Sequence, residues 1–362
     1  MNFTRHQFTY NGQPSRVIFG SGSLQHLARE IDLLGAKRAL VLSTPEQRAS
    51  AEMIANLLGG RAAGVFDRAV MHVPIETAKE ARKLANKLGA DCAIAIGGGS
   101  TTGLGKAIAL DSGLPILAIP TTYAGSEMTP IYGITEGGIK KTGKDPRVLP
   151  RTTIYDPDLS MSLPVSLSVT SGINAIAHAC EGLYAVDSNP IMDLMAVEGI
   201  AALARALPAI YKNASDKAAR ADGLYGAWLC GTVLGNVGMA LHHKLCHTLG
   251  GSFNLPHAEV HTIVLPHALA YNQTAAPEAM QKIAKEKTFV TWDPYTIPII
   301  TEVKGIVNSE DIIHDVTVQE VDLRATADDE VILVPIAVPD EGGEFLRVAD
   351  RADDFGLLPR AD

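Results

Sequence analysis

"DCAIAIGGGSTTGLGKAIAL", residues 91–110, is the stretch on which the fold class turns. It opens with an apolar run too short for a helix, passes through three glycines and a serine, and closes on a longer apolar segment with helical spacing. That order reads as a buried strand, a tight turn and a helix, the opening of a βαβ unit. Gly97, Gly98 and Gly99 would let backbone N–H groups approach a pyrophosphate. Ser100 adds a hydroxyl, and the helix N-terminus favours the negative charge. The spacing is neither GxGxxG nor GxxxxGK[ST], so a plain strand-to-helix turn is the competing reading.

Outward from this stretch the pattern repeats. "RALVLST" (38–44) and "LPILAIPTT" (114–122) are further apolar runs ending in polar residues, and "IETAKEARKLANKLG" (75–89) has helical periodicity. Strands alternating with helices predict a parallel sheet, with ligands at the strands' carboxyl ends. Thr121, Thr122 and Ser126 in "PTTYAGSEMT" (120–129) are placed to line such a crevice. Ser43 and Thr44 end another strand where a dinucleotide enzyme often carries an acid for the adenosine ribose. With no acid there, a 2′-phosphate is tolerated, and the cofactor reading stays open between NADH and NADPH.

The texture changes near residue 160. Segments 168–185, 190–214 and 217–249 are Ala- and Leu-rich with helical periodicity, and near Lys287 a β-branched stretch and then an acidic tail take over. The predicted organisation is an α/β nucleotide-binding domain (1–157), an all-α catalytic domain (158–286) and an atypical β-prone tail (287–362).

Of the 362 residues, 46% are hydrophobic and 20% charged, with a net charge of −9. There is no basic excess to neutralise phosphates, which argues against nucleic acid or an anionic membrane as partner. Four cysteines without close pairing predict a reducing, cytoplasmic setting. No signal-type apolar run opens the chain, and no stretch approaches about 18 uninterrupted apolar residues.

The second informative stretch is "LHHKLCHTLGGSFNLPH" (241–257). His243 and His247 are four apart and share a helix face, and His257 follows beyond an expected Gly-Gly turn. Asn174 and His178 in "SGINAIAHACE" are spaced alike. Singly, such histidines are ordinary hydrogen-bonded residues; together, beside a nucleotide loop, they suggest a cleft. A metal would want lone-pair donors in a closed geometry, and Asn174 offers only a neutral amide. His242 points about a quarter-turn away from His243 on the helix.

These motifs, with "FGSGSL", "LSTPEQ", "AVMHVP", "IPTTYAGSEMTPIYGIT" and "KDPRVLPRTTIYDPDL" in order, make residues 1 to about 285 resemble the iron-containing alcohol dehydrogenase superfamily, and within it the maleylacetate reductases. The resemblance implies a dehydroquinate synthase-like fold, an α/β nucleotide domain followed by helices. It also implies NAD(P)H-dependent reduction of the maleylacetate carbon–carbon double bond to 3-oxoadipate, in aromatic and chloroaromatic catabolism. A small dicarboxylate is then the substrate and a homodimer the assembly.

In the metal-dependent relatives the ligands are an aspartate and three histidines, which map to Asn174, His178, His243 and His257. The aspartate is missing, and Gly103 stands at the aspartate of the relatives' "GGGSxxDxAK" loop, so no metal is expected. His243 and His247 then share enolate stabilisation and proton delivery. Lys244 holds a substrate carboxylate, while His178 and His257 position the substrate. One of Lys140, Lys141 and Lys144 matches the superfamily lysine near the cofactor ribose.

Residues about 289–325 resemble instead a segment of the largest subunit of bacterial RNA polymerase, without its metal-binding aspartates, which implies unrelated coding sequence. Two alternatives follow. One is a metal-dependent alcohol or polyol dehydrogenase of the same fold. The other is a truncated, non-catalytic nucleotide-binding chain, with helices 190–210 and 220–247 left partly uncovered.

Overall fold

Six short apolar strands pair in parallel: β1 (Arg16–Phe19), β2 (Ala39–Leu42), β3 (Ala62–Phe66), β4 (Cys92–Gly97), β5 (Ile116–Pro120) and β8 (Thr152–Tyr155), in the order β1-β8-β5-β4-β2-β3. The computed structural model describes residues 8–285 apart from Pro14, Gly138 and Asn254. The expected β-prone tail and its polymerase-like segment lie outside the described residues. The sheet is covered on both faces, so its central strands are apolar at every position. Alternate side chains serve opposite cores. Val41, Ile94 and Ile119 face Leu27, Ile31 and Ile54 of α1 (Leu27–Leu33) and α2 (Arg48–Leu58). Leu40 and Leu42 face Ala78, Ala81, Leu104 and Ile108 of α3 (Ile75–Leu88) and α4 (Gly99–Ser112).

An antiparallel hairpin not expected from the sequence, β6 (Ile131–Glu136) and β7 (Ile139–Lys144), leaves the sheet after β5. Its sequence is rich in glycine and lysine, and its apolar alternation is too weak to read as strand.

Helices follow as expected: α5 (Val165–Tyr184), α6 (Pro190–Lys212), α7 (Lys217–Asn236), α8 (Leu241–Phe253), α9 (His257–Asn272) and α10 (Pro277–Lys285). Two expectations need correction. First, the periodic run 217–249 is two helices meeting at 95°. Val237 is extended (φ −131°, ψ 163°), Asp187 accepts the Gly238 N–H, and Glu181 accepts the N–H groups that restart the chain as α8. Second, Gly250 and Gly251 make no turn but lie inside α8. Among the described residues α6 is long and apolar enough by length and composition to cross a membrane. Asp193, Glu198 and Arg205 interrupt it, however, and it packs against α5 and α7 as a core helix.

The helical half meets the α/β half where α7 crosses the loop after β5. A Cβ on Gly231 would come within 2.8 Å of the Gly125 Cα and carbonyl oxygen, and Gly125 itself has φ +76°. Two backbones touch there, and neither can retreat as a side chain would.

Candidate functional site

Two groups of expected site residues are assembled by different means. At the carboxyl ends of adjacent strands, β2 delivers Ser43 and Thr44, β4 delivers Gly97, and β5 delivers Thr121 and Thr122. Gly97 has φ +142°, and a Cβ there would lie 2.4 Å from Gln47 Oε1 and 2.6 Å from Thr101 Oγ1. A Cβ on Gly98 would come within 3.0 Å of Thr122. Gln47 Nε2 donates to Thr121 Oγ1 at 2.8 Å, tying the β2 and β5 loops together over the glycines. Gly98 is the N-cap of α4 and supplies no side-chain cap, so the N–H groups of Gly99 and Ser100 point outward from the helix start. This is an anion-binding end, suited to the diphosphate of a dinucleotide. Ser43 is buried, with its Oγ lacking a protein partner.

Ser126 is engaged differently from expectation. The fully buried Lys106 donates to the Ser126 carbonyl (2.6 Å) and Oγ (3.2 Å), to Thr129 Oγ1 (2.9 Å) and to the Ile131 carbonyl (2.7 Å). Ser126 therefore belongs to the cage around a lysine whose pKa burial pulls down to about 7. Nearby, Tyr155 donates to Glu127 at 2.7 Å, and burial pushes the Glu127 carboxyl up. A lysine amid the apolar positions of α4 was the sequence signal for this cage.

The second group is a histidine cleft between α5, α8 and α9. His178 and His243 stack with ring centroids 4.9 Å apart, and His247 lies 5.9 Å from His257. The expected residues His178, His243, His247 and His257 are thus brought together, while Lys244 is on the exposed surface. Asn174 is buried on α5 with Oδ1 unpartnered.

Three residues that sequence reasoning left out, or turned away, complete the cleft. Glu181 is wholly buried and accepts the backbone N–H groups of Ala240 (2.9 Å) and His242 (2.7 Å). The start of α8 thereby stabilises the carboxylate. Glu181 also accepts from His243 Nδ1 at 2.6 Å. A carboxylate only accepts, so Nδ1 carries the proton and the buried, unpartnered Nε2 of the neutral ring keeps its lone pair. His242, expected to point away, is buried and shares a 2.9 Å hydrogen bond between its Nε2 and His261 Nδ1. His261 in turn lies 4.4 Å, centroid to centroid, from His257.

Burial disfavours imidazolium throughout the cleft. It holds His178 and His243 well below the ordinary value, His242 at about 4 and His257 at about 3, and the other histidines add to the effect. His247, the most exposed of the cluster, is lowered by the sheltering of its ring and then by the Lys140 and Lys244 charges.

A metal on the relatives' ligand positions would need four converging donors. Asn174 brings an amide in place of a carboxylate, and His178 turns its Nδ1 toward Gly125, 3.5 Å from that residue's Cβ position. The imidazole trios whose nitrogens approach within 4.8 Å are His242, His243 and His261, and His247, His257 and His261. Neither is the aspartate-and-three-histidine set, so these residues do not fit the metal as that set holds it. Among the described residues, these two trios are where ligand atoms come close enough together to hold a cation.

The sequence pattern described as iron-containing alcohol dehydrogenase matches residues 14–157, and that described as Fe-containing alcohol dehydrogenase family, C-terminal, matches residues 168–331. Maleylacetate reductase of Burkholderia cepacia is 67% identical over 278 residues, which make up 77% of this chain and 79% of that protein. The crystal structure of maleylacetate reductase from Agrobacterium tumefaciens is similar with a TM-score of 0.76 at 55% identity, covering 78% of this chain and 80% of that one. An iron-containing alcohol dehydrogenase structure from Corynebacterium glutamicum gives a TM-score of 0.76 at 43% identity, covering 79% and 82%.

Proposed function

Since this chain belongs to the iron-containing alcohol dehydrogenase family, we propose that it is an NAD(P)H-dependent oxidoreductase that reduces the carbon–carbon double bond of maleylacetate to give 3-oxoadipate. The observation that carries the substrate is the 67% identity to a maleylacetate reductase across both halves of the fold. The glycine turn and the start of α4 would hold NAD(P)H, which would supply a hydride to the alkene carbon β to the ketone. The electron pair of the double bond moves onto the ketone oxygen as an enolate, and a proton then adds to the α carbon.

The chain's own residues suit this sequence. An enolate spreads its charge over carbon and oxygen, so it asks for hydrogen-bond donors rather than a strong Lewis acid. Asn174 provides an amide N–H where an aspartate would provide only lone pairs. His243, with its proton directed to Glu181, serves as acceptor and orienting group, and His247, in contact with solvent, delivers the proton and is recharged from water. His178 and His257, held neutral, shape the cleft. This chemistry runs without a metal, and the reading carries with it a homodimeric assembly and a cytoplasmic setting in keeping with four unpaired cysteines.

The test is maleylacetate-dependent oxidation of NADH and of NADPH by the full chain, with and without EDTA, alongside metal analysis of the protein. Turnover indifferent to EDTA supports the reading. Loss of activity with EDTA that Fe²⁺ or Zn²⁺ restores would replace it with a metal-dependent enzyme on the histidine trios.

A further inference from the structure

The segment that leads from the end of β5 into β6, residues 121–131, touches both groups of site residues. The Thr121 N–H donates to the Gly97 carbonyl at 3.0 Å. The Thr122 side chain lies 3.0 Å from the Cβ position of Gly98, and Ala124 Cβ lies 3.7 Å from that of Gly99. The next residue, Gly125, has φ +76°, and its own Cβ position is 3.5 Å from His178 Nδ1, which is buried and unpartnered. Within a few residues the chain passes from the glycine turn to the histidine cleft.

Beyond Gly125 the segment has only a short 3-10 turn (Ser126–Met128) of its own, and Lys106 grips it. The acceptors on Ser126, Thr129 and Ile131 lie between 2.6 and 3.2 Å from Lys106 Nζ. Lys106 stands about two turns after Gly99 on the same face of α4. One helix therefore presents its first N–H groups at the glycine turn and holds the segment where it has passed the cleft. On the far side, Tyr155 holds Glu127, and the Met128 carbonyl oxygen lies 2.6 Å from the Cβ position of Gly235 on α7. Burying an ammonium among neutral oxygens is costly, and an apolar side chain of similar volume would serve packing as well. What the lysine adds is direction. Its N–H groups point at acceptors spread over residues 126–131 and fix where that stretch lies against α4.

We infer that Lys106 is a positioning residue for hydride transfer: by clamping residues 126–131 to α4, it sets Gly125 and His178 at a fixed place relative to the glycine turn. The inference rests on the reading of the chain as an NAD(P)H-dependent reductase of maleylacetate. Lys106 touches neither reactant. It governs how the carbon that accepts hydride, held in the cleft, meets the cofactor, and a misplacement of about 1 Å can cost about 100-fold in rate.

The experiment uses the full chain and measures NADPH Kd, then KM and kcat for maleylacetate, then the isotope effect with NADPH deuterated at the transferred position. Lys106→Met keeps the length and apolar stem and removes the donors. It is expected to leave Kd and KM within about threefold, to lower kcat at least about tenfold, and to raise the isotope effect as hydride transfer becomes rate-limiting. Lys106→Gln, whose amide restores two N–H groups, should recover much of the loss. Thr129→Val removes one acceptor and keeps the lysine, so it carries the test if Lys106→Met does not fold, with a smaller fall in kcat at unchanged Kd. An unchanged kcat in the variants overturns the assignment, as does a fall matched by lost NADPH binding or a glutamine no better than methionine. A parent that does not oxidise NADPH with maleylacetate overturns the substrate reading and not the clamp. The clamp is then read from the NMR signal of the His178 ring, which NADPH should shift in the parent and leave unmoved in Lys106→Met or Thr129→Val with NADPH bound. A signal that responds alike in parent and variant, or in neither, overturns it.

Discussion

Glu181 bears on more of the cleft than any histidine does. Its carboxylate caps α8, orients His243 and sits wholly buried with no lysine or arginine salt bridge among the described residues. Glu181→Ala leaves three backbone N–H groups, of Ala240, His242 and His243, and His243 Nδ1 without their acceptor, at about 1–3 kcal/mol for each buried group left unsatisfied. The expected outcome is a clear drop in thermal midpoint and loss of maleylacetate turnover, with NADPH binding retained. Unchanged stability would show that water replaces the carboxylate. Asn174 makes the converse case. Asn174→Asp restores a charged ligand beside His178 and His243, and should confer tighter Zn²⁺ or Fe²⁺ binding, measurable by metal analysis after dialysis, while lowering reductase activity. If the variant takes up no more metal than the parent, the amide is not what limits metal binding. Asn174, His178 and His243 could be read from sequence because i, i+4 spacing puts such residues on one helix face. Glu181 could not: in "HACEGLY" it is an ordinary helical glutamate, and its partners lie 59 to 62 residues ahead.

At the scale of elements, the sheet was legible because buried parallel strands are continuous apolar runs. "RALVLST", "DCAIAIGGGS" and "LPILAIPTT" became β2, β4 and β5 within a few residues. The break between α7 and α8 was not, because Ala- and Leu-rich helical spacing runs straight through it. What stops the helix is a distant pair of carboxylates, Asp187 and Glu181. The contact of α7 with the loop after β5 is equally non-local. Gly231→Ala drives a methyl into the Gly125 backbone, where overpacking costs about 1–3 kcal/mol. Its thermal midpoint should fall, and Gly226→Ala should fall likewise, since a Cβ there would lie 2.9 Å from the Gly199 carbonyl oxygen. Gly251→Ala, which meets nothing within 4 Å in α8, should be neutral or stabilising. Equal effects at Gly231 and Gly251 would refute the close approach.

For the whole molecule, the cleft makes stability depend on pH. His178, His242, His243, His257 and His261 are all held below the ordinary histidine value, chiefly by burial. A depressed base binds fewer protons folded than unfolded, so its contribution is complete above about pH 6.5 and is lost as pH falls through that value. Each such histidine removes up to about 1.4 kcal/mol per pH unit until its folded pKa is reached, about 4 for His242 and about 3 for His257. Thermal midpoints should therefore fall steeply between pH 6.5 and 5. A level profile down to pH 5 would mean that these rings are solvated.

The sequence by itself determined the α/β-then-helical architecture, the glycine turn at the strands' carboxyl ends and the list of candidate histidines. Each of these is written in local periodicity and in chemistry a few residues long. Only the tertiary structure decided which nitrogens keep a lone pair, which carboxylate orients them, and that His242 and His261 join the cleft. Those facts depend on which distant groups share one volume from which water is largely excluded, and burial and hydrogen bonding across that volume set each proton's place.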